Sequence, residues 1–236
     1  MLNLKEAIQA EQQLRKEGQY DVRSFAPVAK EFGFDTVKDY VEKRNAYFFQ
    51  EWIPEVFYVD ISKYAKVTED AIQNNKYGIY ISKGKGVHAY HGLGEIDREL
   101  CKKLGVLVVD LNYTGGTIIG SAQDFSIILV APSYLQLEPQ KILAKFTEIV
   151  GKYVPETSFD GNDILVSGKK IAGAMTRTVG NSFVWATQVT FNDYSEYIEK
   201  ICTKKSSKAP SFIDPSLLTR ERLEKDVLAW LVDKNQ

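Results

Sequence analysis

The chain has 236 residues, and its 30 basic and 31 acidic side chains leave a formal charge of −1 at neutral pH. Hydrophobic residues make up 44% of the sequence and charged residues 26%, a composition typical of a globular protein with one large domain, or one domain and a small appendage. This balanced charge provides no long-range attraction to polyanions, so we do not expect nucleic acid as a partner.

Residues 1–7 have no basic leader followed by an apolar run, and no stretch of the sequence reaches the length needed to cross a bilayer. We therefore expect a cytoplasmic protein without a membrane partner.

The first 54 residues have the spacing of apolar side chains that is typical of helices. Three segments show it, with apolar positions at Leu4, Ala7, Ile8 and Leu14, then at Phe25, Val28, Ala29 and Phe32, and then at Val37, Tyr40, Val41 and Phe48. Pro54 blocks continuation of the third segment. The pattern predicts a helical N-terminal extension over residues 1–54, followed by a separate domain over residues 55–236.

After Pro54, short β-branched and aromatic runs alternate with helical segments. The predicted strands are residues 56–59, 77–81, 106–109, 117–119, 127–130, 164–166, 170–174 and 183–191, and the predicted helices are residues 95–104, 139–150 and 219–232. Because the order is mixed and shows no repeating βαβ unit, it favours an α+β domain with a mixed sheet over a doubly wound sheet.

Cysteine and histidine are too sparse to predict a metal or disulfide site. Cys101 and Cys202 are far apart in sequence and lack a CxxC or Cys/His companion, so we expect two half-buried thiols. His88 and His91 stand beside several glycines, which favours a loop position over a metal pair. The polar, basic segment from Thr203 to Lys208 is expected to be a solvated linker.

The paired glycines Gly115 and Gly116 follow a predicted strand and precede another at Thr117. Adjacent glycines remove every Cβ from a bend, so a ligand can lie directly on backbone amides. A tight hairpin requires glycines for the same reason, and both interpretations remain open.

A second motif covers residues 159–174. It places Asn162 and Asp163 before a predicted strand, then a tight turn, then Lys170 at the start of another strand. An adenylating enzyme needs a carboxylate for Mg²⁺, an amide for the nucleotide and a fixed cation over developing charge. A plain β-hairpin with a polar turn fits the spacing equally well.

This second motif resembles the signature of the lipoate-protein ligases, in the biotin and lipoate protein ligase superfamily. The matching positions are Asn162, Asp163, Ile164, Val166, Gly168, Lys169, Lys170, Ile171, Ala172, Gly173 and Ala174. The resemblance runs from about Pro54 to the C-terminus and leaves the helical extension unexplained. It implies the mixed-sheet fold of that superfamily.

The resemblance also implies the site and its ligands. Lys170 would be the catalytic lysine that contacts the acyl carbonyl and phosphate, and Asp163 would hold the metal. Substrate or nucleotide contacts would come from Gly115, Gly116, Thr117, Asn162, Asp163, Gly173 and Ala174. The implied substrates are lipoate or octanoate and ATP with Mg²⁺, and the implied partner is a lipoyl domain or the H-type carrier protein of glycine cleavage.

The chain departs from the family at Leu111 and Asn112, where family members generally carry two arginines. Neither residue can reproduce bidentate contacts to a triphosphate. The usual histidines of the later strand are replaced by Val184 and Trp185. Three functions therefore remain open: an ATP-dependent ligase, an ATP-independent acyl transferase, and a non-catalytic binding or regulatory protein.

Regulation through DNA is a further alternative, because biotin-ligase relatives can carry a DNA-binding head. Residues 26–44 fit a helix, a turn at Gly33 and a second helix. That second helix has as many acidic as basic residues, so a helical hairpin packed on the domain is the favoured interpretation.

Overall fold

The structure is a computed structural model, and it describes residues 4–19, 21–51, 54–91, 96–111, 117–135, 137–203 and 208–232. The chain folds as two compact units, Met1–Ile53 and Pro54–Gln236. No helix in the described ranges is long and apolar enough to span a membrane.

The N-terminal unit is helical, as predicted. It contains α1 (Leu4–Lys16), a 3-10 helix (Val22–Phe25), α2 (Ala26–Glu31) and α3 (Val37–Glu51). Its core residues are Ala7, Phe25, Val28, Ala29 and Tyr40. All five belong to the helical apolar pattern of the sequence.

A polar cluster lies within this helical core. The carboxylate of Glu11 accepts a hydrogen bond of 2.6 Å from the Tyr40 hydroxyl and forms ion pairs with Arg15 and Arg44. Arg44 is fully buried, so its charge requires such a partner. The cluster joins α1 to α3.

The second unit contains ten strands in the described ranges. They are β1 (Glu55–Asp60), β2 (Gly78–Lys83), β3 (Val87–His91), β4 (Leu107–Asp110), β5 (Thr117–Ser121), β6 (Phe125–Pro132), β7 (Thr157–Asp160), β8 (Asp163–Val166), β9 (Lys169–Val179) and β10 (Ser182–Val189). The larger sheet has the order β1-β2-β6-β10-β9-β8-β7, and the smaller has the order β4-β3-β5. Both sheets are mixed, because β1 and β2 pair in parallel, as do β3 and β4, whereas the remaining neighbours are antiparallel.

Five α-helices accompany these strands within the described residues. They are α4 (Tyr64–Gln73), α5 (Arg98–Lys103), α6 (Pro139–Gly151), α7 (Ser195–Ile201) and α8 (Arg220–Val232). Pro139 stands in the first turn of α6, where its missing N–H is tolerated. The α+β class and mixed sheet predicted from the sequence are confirmed.

The core of this unit lies on both faces of the larger sheet. All residues of β6 and β10 are buried, which explains their nearly continuous apolar sequences. On one face Trp185 packs against Phe146 of α6 with ring centroids 5.7 Å apart. On the other face Ile128 and Val184 share a cluster with residues of α4 and the smaller sheet.

Some sequence expectations were wrong. His88 and His91 lie in β3 and are buried, because the apolar side chains between them pack in the core. Cys101 is fully buried rather than half-buried, since it lies on α5 and packs against residues of the smaller sheet and α7, whereas Cys202 is half-buried. Four elements had no predicted counterpart: β3, β7, α4 and α7.

Candidate functional site

Asp163 and Lys170 lie on the two strands of a hairpin. β8 and β9 are antiparallel, and the turn between them consists of Ser167 and Gly168, with φ of 49° and 76°. Positive φ at both positions matches the twist of a two-residue hairpin, and glycine adopts it without steric cost. This turn sets the register in which Asp163 meets the strand that carries Lys170.

A β-bulge directs Lys170 to the face of Gly173. Residues three apart on a regular strand point to opposite faces. The register of β9 against β8 shifts by one residue at Ile171, between the pairs made by Ala172 and by Lys170. The extra residue reverses the alternation, so that Lys170 and Gly173 lie on the same side of the sheet.

Asp163 is shared between two lysines. Lys170 Nζ lies 2.7 Å from Asp163 Oδ1, and Lys208 Nζ lies 3.1 Å from Asp163 Oδ2. Lys208 Nζ also lies 3.0 Å from Asp160 Oδ2 and donates to the Asp160 carbonyl at 3.0 Å. The expectation of a merely solvated linker was therefore wrong at Lys208, and residues 204–207 lie outside the described ranges.

The two lysines also determine the charge state of Asp163. Burial alone would raise the pKa of this carboxyl, but hydrogen bonds and charges from Lys170 and Lys208 outweigh burial and hold the pKa below its ordinary value of 3.8. The pKa of Lys208 is raised, chiefly by its hydrogen bond to Asp160. Asp163 and Lys208 are therefore both charged at neutral pH.

Gly173 permits the close approach of Lys170. A Cβ at position 173 would lie 3.2 Å from both Cε and Nζ of Lys170 and 3.5 Å from Asp163 Oδ1. The lysine chain thus crosses the strand where no side chain intervenes. The small-residue run of the motif has a steric role at this position.

A cavity of about 470 Å³ lies in front of this hairpin. One wall is formed by residues 117–119 of β5, a second by residues 170–173 of β9, and a third by residues of and next to α7. Residues 208–211 form the fourth wall, and Gln188 also lines the cavity. Apart from the two lysines and Glu199, the lining side chains are uncharged, so the cavity suits an apolar chain with a polar end.

The fourth wall is attached to the backbone of Lys170. The Lys170 amide donates to the Ala209 carbonyl at 2.9 Å, and the Ser211 amide donates to the Lys170 carbonyl at 2.7 Å. The Thr190 hydroxyl also donates to the Ser211 carbonyl at 2.9 Å. The segment is therefore paired with the start of β9 beside the bulge.

A buried polar cluster between the two sheets lies next to the cavity. Gln188 Nε2 donates to the Ile119 carbonyl at 3.1 Å, and Gln188 Oε1 accepts from the Ser126 hydroxyl at 3.0 Å. His88 Nε2 lies 3.3 Å from the same oxygen, so it acts as the donor. Burial lowers the pKa of His88 to about 4, and the imidazole is neutral at pH 7.

Asp124 fixes the wall formed by α7. Its carboxylate accepts 2.6 Å hydrogen bonds from the Tyr194 hydroxyl and from the amides of Ser121 and Phe191. Burial raises the pKa of Asp124, against the lowering effect of these donors. The contacts tie β5, β6 and the start of α7 together at the cavity.

The structure brings together some of the residues that the sequence motif named. Thr117, Lys170 and Gly173 line the cavity. Asp163 is not a lining residue, but it forms an ion pair with Lys170. Asn162 is exposed on the turn before β8, where its Oδ1 accepts from Gln140 Nε2 at 3.2 Å.

The remaining named residues are not cavity-lining or cannot be described. Ala174 is buried and donates its amide to the Asn162 carbonyl at 2.7 Å. Gly115 and Gly116 lie outside the described residues, as does Asn112. Sequence reasoning missed Lys208, Gln188 and Tyr194, which reach the cavity only through the tertiary fold.

Leu111 stands where the family that the motif resembles carries an arginine, and it is a core residue in this protein. It is 6% exposed and packs in the cluster between the two sheets and α4. A charged side chain there would be buried among the apolar residues of this cluster. The substitution is therefore part of the packing of this protein.

In this structure the Asp163 carboxylate is paired with two lysines rather than open to Mg²⁺. Both oxygens of Asp163 are within 3.1 Å of an ammonium group, which occupies the positions that a cation would need. The described residues contain no group of three or more His, Cys, Asp or Glu side chains that could hold a metal. The metal role of Asp163 stays a prediction from the motif.

Comparison with known proteins gives structural matches only. No protein-family model matches the sequence, and no curated protein matches it. LipL1 of P. falciparum in complex with lipoate aligns with a TM-score of 0.64 and 13% identity over 78% of this chain and 63% of that chain. This chain therefore spans less than two thirds of the length of LipL1.

Two further structures match most of both chains. A lipoate-protein ligase A bound with ATP has a TM-score of 0.58 and 13% identity over 76% of this chain and 84% of that chain. A bipartite lipoate protein ligase from Thermoplasma acidophilum, studied with its E2 lipoyl domain, has a TM-score of 0.54 and 12% identity over 76% and 82%. This chain therefore has the fold of these lipoate-protein ligases.

Proposed function

We propose that this protein transfers a lipoyl or octanoyl group to the ε-amine of a lysine on a lipoyl domain or an H-type carrier protein. The observation that carries the proposal is the placement of Lys170 in the wall of a largely apolar cavity of about 470 Å³. That volume lies in the range of about 300–1,000 Å³ that is typical of small-molecule sites. The neighbours with the same fold include proteins solved with lipoate and with ATP.

Lys170 would act on the acyl carbonyl. An ammonium group has three donors, and Asp163 takes one of those of Lys170. Among the described residues the remaining donors have no other partner, so they would be available to the carbonyl oxygen when the acceptor amine attacks and negative charge develops on that oxygen. Asp163 holds the lysine in place, so that little reorganisation is needed in the transition state.

In the ligase version, the acyl carboxylate attacks the α-phosphate of ATP and releases pyrophosphate. The acceptor amine then attacks the acyl carbonyl, AMP leaves, and an amide forms. The cavity contributes by holding the chain and the activated carbonyl in one orientation toward the entering lysine.

An ATP-independent transferase is the second candidate, and Leu111 favours it. This residue is buried in the core at the position where the family that the motif resembles carries an arginine. The two lysines lining the described part of the cavity are both engaged with aspartates, which reduces the charge offered to a polyanion. An acyl thioester on a carrier protein would need no such charge.

The test is an acyl-hydroxamate assay over a panel that includes lipoate, octanoate and biotin, with Mg-ATP. Hydroxamate formation from lipoate or octanoate supports the ligase. A parallel reaction supplies octanoyl carrier protein and a lipoyl domain without ATP, and transfer there supports the transferase. No product in either reaction would contradict acyl transfer and favour the non-catalytic alternative.

A further inference from the structure

Lys208 contributes a second positive charge to the site, from a part of the chain outside the ligase-like motif. Its ammonium group contacts the carboxylates of Asp163 and Asp160 and the Asp160 carbonyl at 3.0 to 3.1 Å. These acceptors use the donors of Lys208, whereas among the described residues Lys170 is paired with Asp163 alone. Lys208 is thus held in place, and Lys170 is the lysine with donors to offer a ligand.

The charge arrangement gives Lys208 an effect on Lys170. A single Asp163–Lys170 pair would be neutral, and the lysine would attract an anion or an oxyanion weakly. Lys208 shares the Asp163 carboxylate, so Lys170, Lys208 and Asp163 together carry one positive charge, which Asp160 balances from the side of Lys208. The second counter-ion, Asp160, is 72% exposed, and solvent screens its charge more than that of Asp163, which is 21% exposed.

The backbone next to Lys208 is held independently of its side chain. The hydrogen bonds from Lys170 to Ala209 and from Ser211 to Lys170 attach the segment to the sheet. A further bond joins Ile213 to Thr190, since the Ile213 amide donates to the Thr190 carbonyl at 2.9 Å. Removal of the ammonium group of Lys208 should therefore leave the cavity wall in place.

We propose that Lys208 is a positioning residue for Lys170: by sharing Asp163, it directs the Lys170 ammonium group into the cavity and leaves the charge of that group incompletely neutralised toward the carboxylate or carbonyl of the acyl substrate. The part concerning the substrate rests on the proposed function. The part concerning the lysines does not, because it describes the unliganded side chains.

The first experiment observes the lysines without any substrate. Lysine-selective ¹H–¹⁵N spectra of side-chain ammonium groups are recorded for wild type, Lys208→Met and Lys169→Met. We expect Lys208→Met to shift or broaden the Lys170 ammonium signal, while Lys169→Met leaves it unchanged because Lys169 is exposed and outside the cavity lining. An unchanged Lys170 signal in Lys208→Met would overturn the proposal, whatever the protein catalyses.

The second experiment measures binding and transfer by the full chain. Calorimetry with octanoate and lipoate should show affinity about tenfold weaker for Lys208→Met, the order expected when charge-assisted contacts are weakened. In transfer assays the KM for the acyl substrate should rise and the KM for the carrier domain should not. A variant that merely disturbed the fold would affect both.

A variant that keeps the positive charge at position 208 shows whether the effect of Lys208 depends on its charge or on its packing. Lys208→Arg keeps the cation and should stay within about threefold of wild type, because charge matters more than shape at a partly exposed pair. Lys208→Gln replaces Lys208→Met if the latter unfolds, since it keeps a polar end. Equal octanoate affinity in wild type and both neutral variants would overturn the proposal.

The two proposals fail in different ways. If wild type binds neither octanoate nor lipoate, the proposed function fails, and the Lys170 ammonium signal still decides the role of Lys208. If wild type binds and transfers but Lys208→Met behaves like wild type in every measurement, the proposed function stands and the role of Lys208 is wrong.

Discussion

Lys170 Nζ lies 2.7 Å from Asp163 Oδ1, and this contact depends on the β-bulge at Ile171. Without the extra residue, the alternation of β9 would point Lys170 away from Gly173 and the cavity. The hairpin is thus more than a connection between strands. Its irregularity places an ammonium group beside a carboxylate at the wall of an apolar cavity.

Gly173→Ala should reduce transfer with little effect on folding. The new methyl group would lie 3.2 Å from Lys170 Cε and Nζ, so the lysine must move by a few tenths of an ångström. The backbone at this position has no positive φ, and stability should change by less than about 1 kcal/mol.

Steady-state kinetics and thermal unfolding check this prediction. Gly151→Ala is the matched control, because its methyl group would meet the nearest atom, Thr157 Cβ, at an ordinary 3.7 Å. Full activity of Gly173→Ala would show that the position of the lysine is not critical.

Gly120→Ala should destabilise the second unit. A Cβ at this position would overlap the side-chain amide of Gln188 and lie 2.9 Å from Asp124 Oδ2. Both neighbours are buried and hydrogen-bonded, so they cannot move freely. We expect a loss of about 1–3 kcal/mol in the free energy of unfolding, measured by urea titration. Wild-type stability would mean that the Gln188 cluster is looser than the structure indicates.

Leu111→Arg should unfold the protein rather than create a nucleotide site. The guanidinium would be buried in an apolar cluster, which costs about 3–5 kcal/mol when the charge has no partner. Leu111→Met keeps volume and polarity and should cost less than about 1.5 kcal/mol. A stable Leu111→Arg variant with increased ATP affinity would contradict this account of the core.

His88 should make the free energy of unfolding depend on pH below neutrality. Its pKa is about 4 in the folded protein and about 6.5 in an unfolded chain, so the unfolded chain binds the proton first. The stabilisation is complete above the unfolded value and decreases as the pH falls toward 4. Between pH 7 and pH 5 this group alone should lower stability by about 2 kcal/mol.

His88→Gln isolates that contribution, because other carboxyls titrate in the same range. The free energy of unfolding of wild type minus that of the variant should decrease by about 2 kcal/mol between pH 7 and pH 5. A difference independent of pH would mean that the pKa of His88 is the same in the folded protein as in the unfolded chain.

Much of the fold was predictable, because it follows local patterns. The helical spacing of the first unit and the apolar runs of β6 and β10 identify elements by side-chain periodicity. α4 and β3 were missed for a physical reason: α4 mixes apolar with charged residues over a short length, and the glycines near His88 suggested a loop.

The site was predictable only in part. The motif identified Lys170 and Asp163, which are close in sequence and on adjacent strands. The bulge at Ile171 has no sequence signal of its own, and Lys208 reaches Asp163 only through the path of the chain after α7. The assigned roles of the motif residues stay predictions until they are tested by substitution.

The most direct test of the account is single-turnover transfer of lipoate or octanoate to a lipoyl domain with Mg-ATP, by wild type, Lys170→Ala and Lys169→Ala. Octanoyl carrier protein replaces the free acid and ATP in a second series. We predict that Lys170→Ala loses transfer, since a positioned donor at a forming oxyanion contributes about 3–4 kcal/mol, whereas Lys169→Ala stays within about threefold of wild type. Equal rates for wild type and Lys170→Ala would contradict the central claim that this lysine acts on the acyl group.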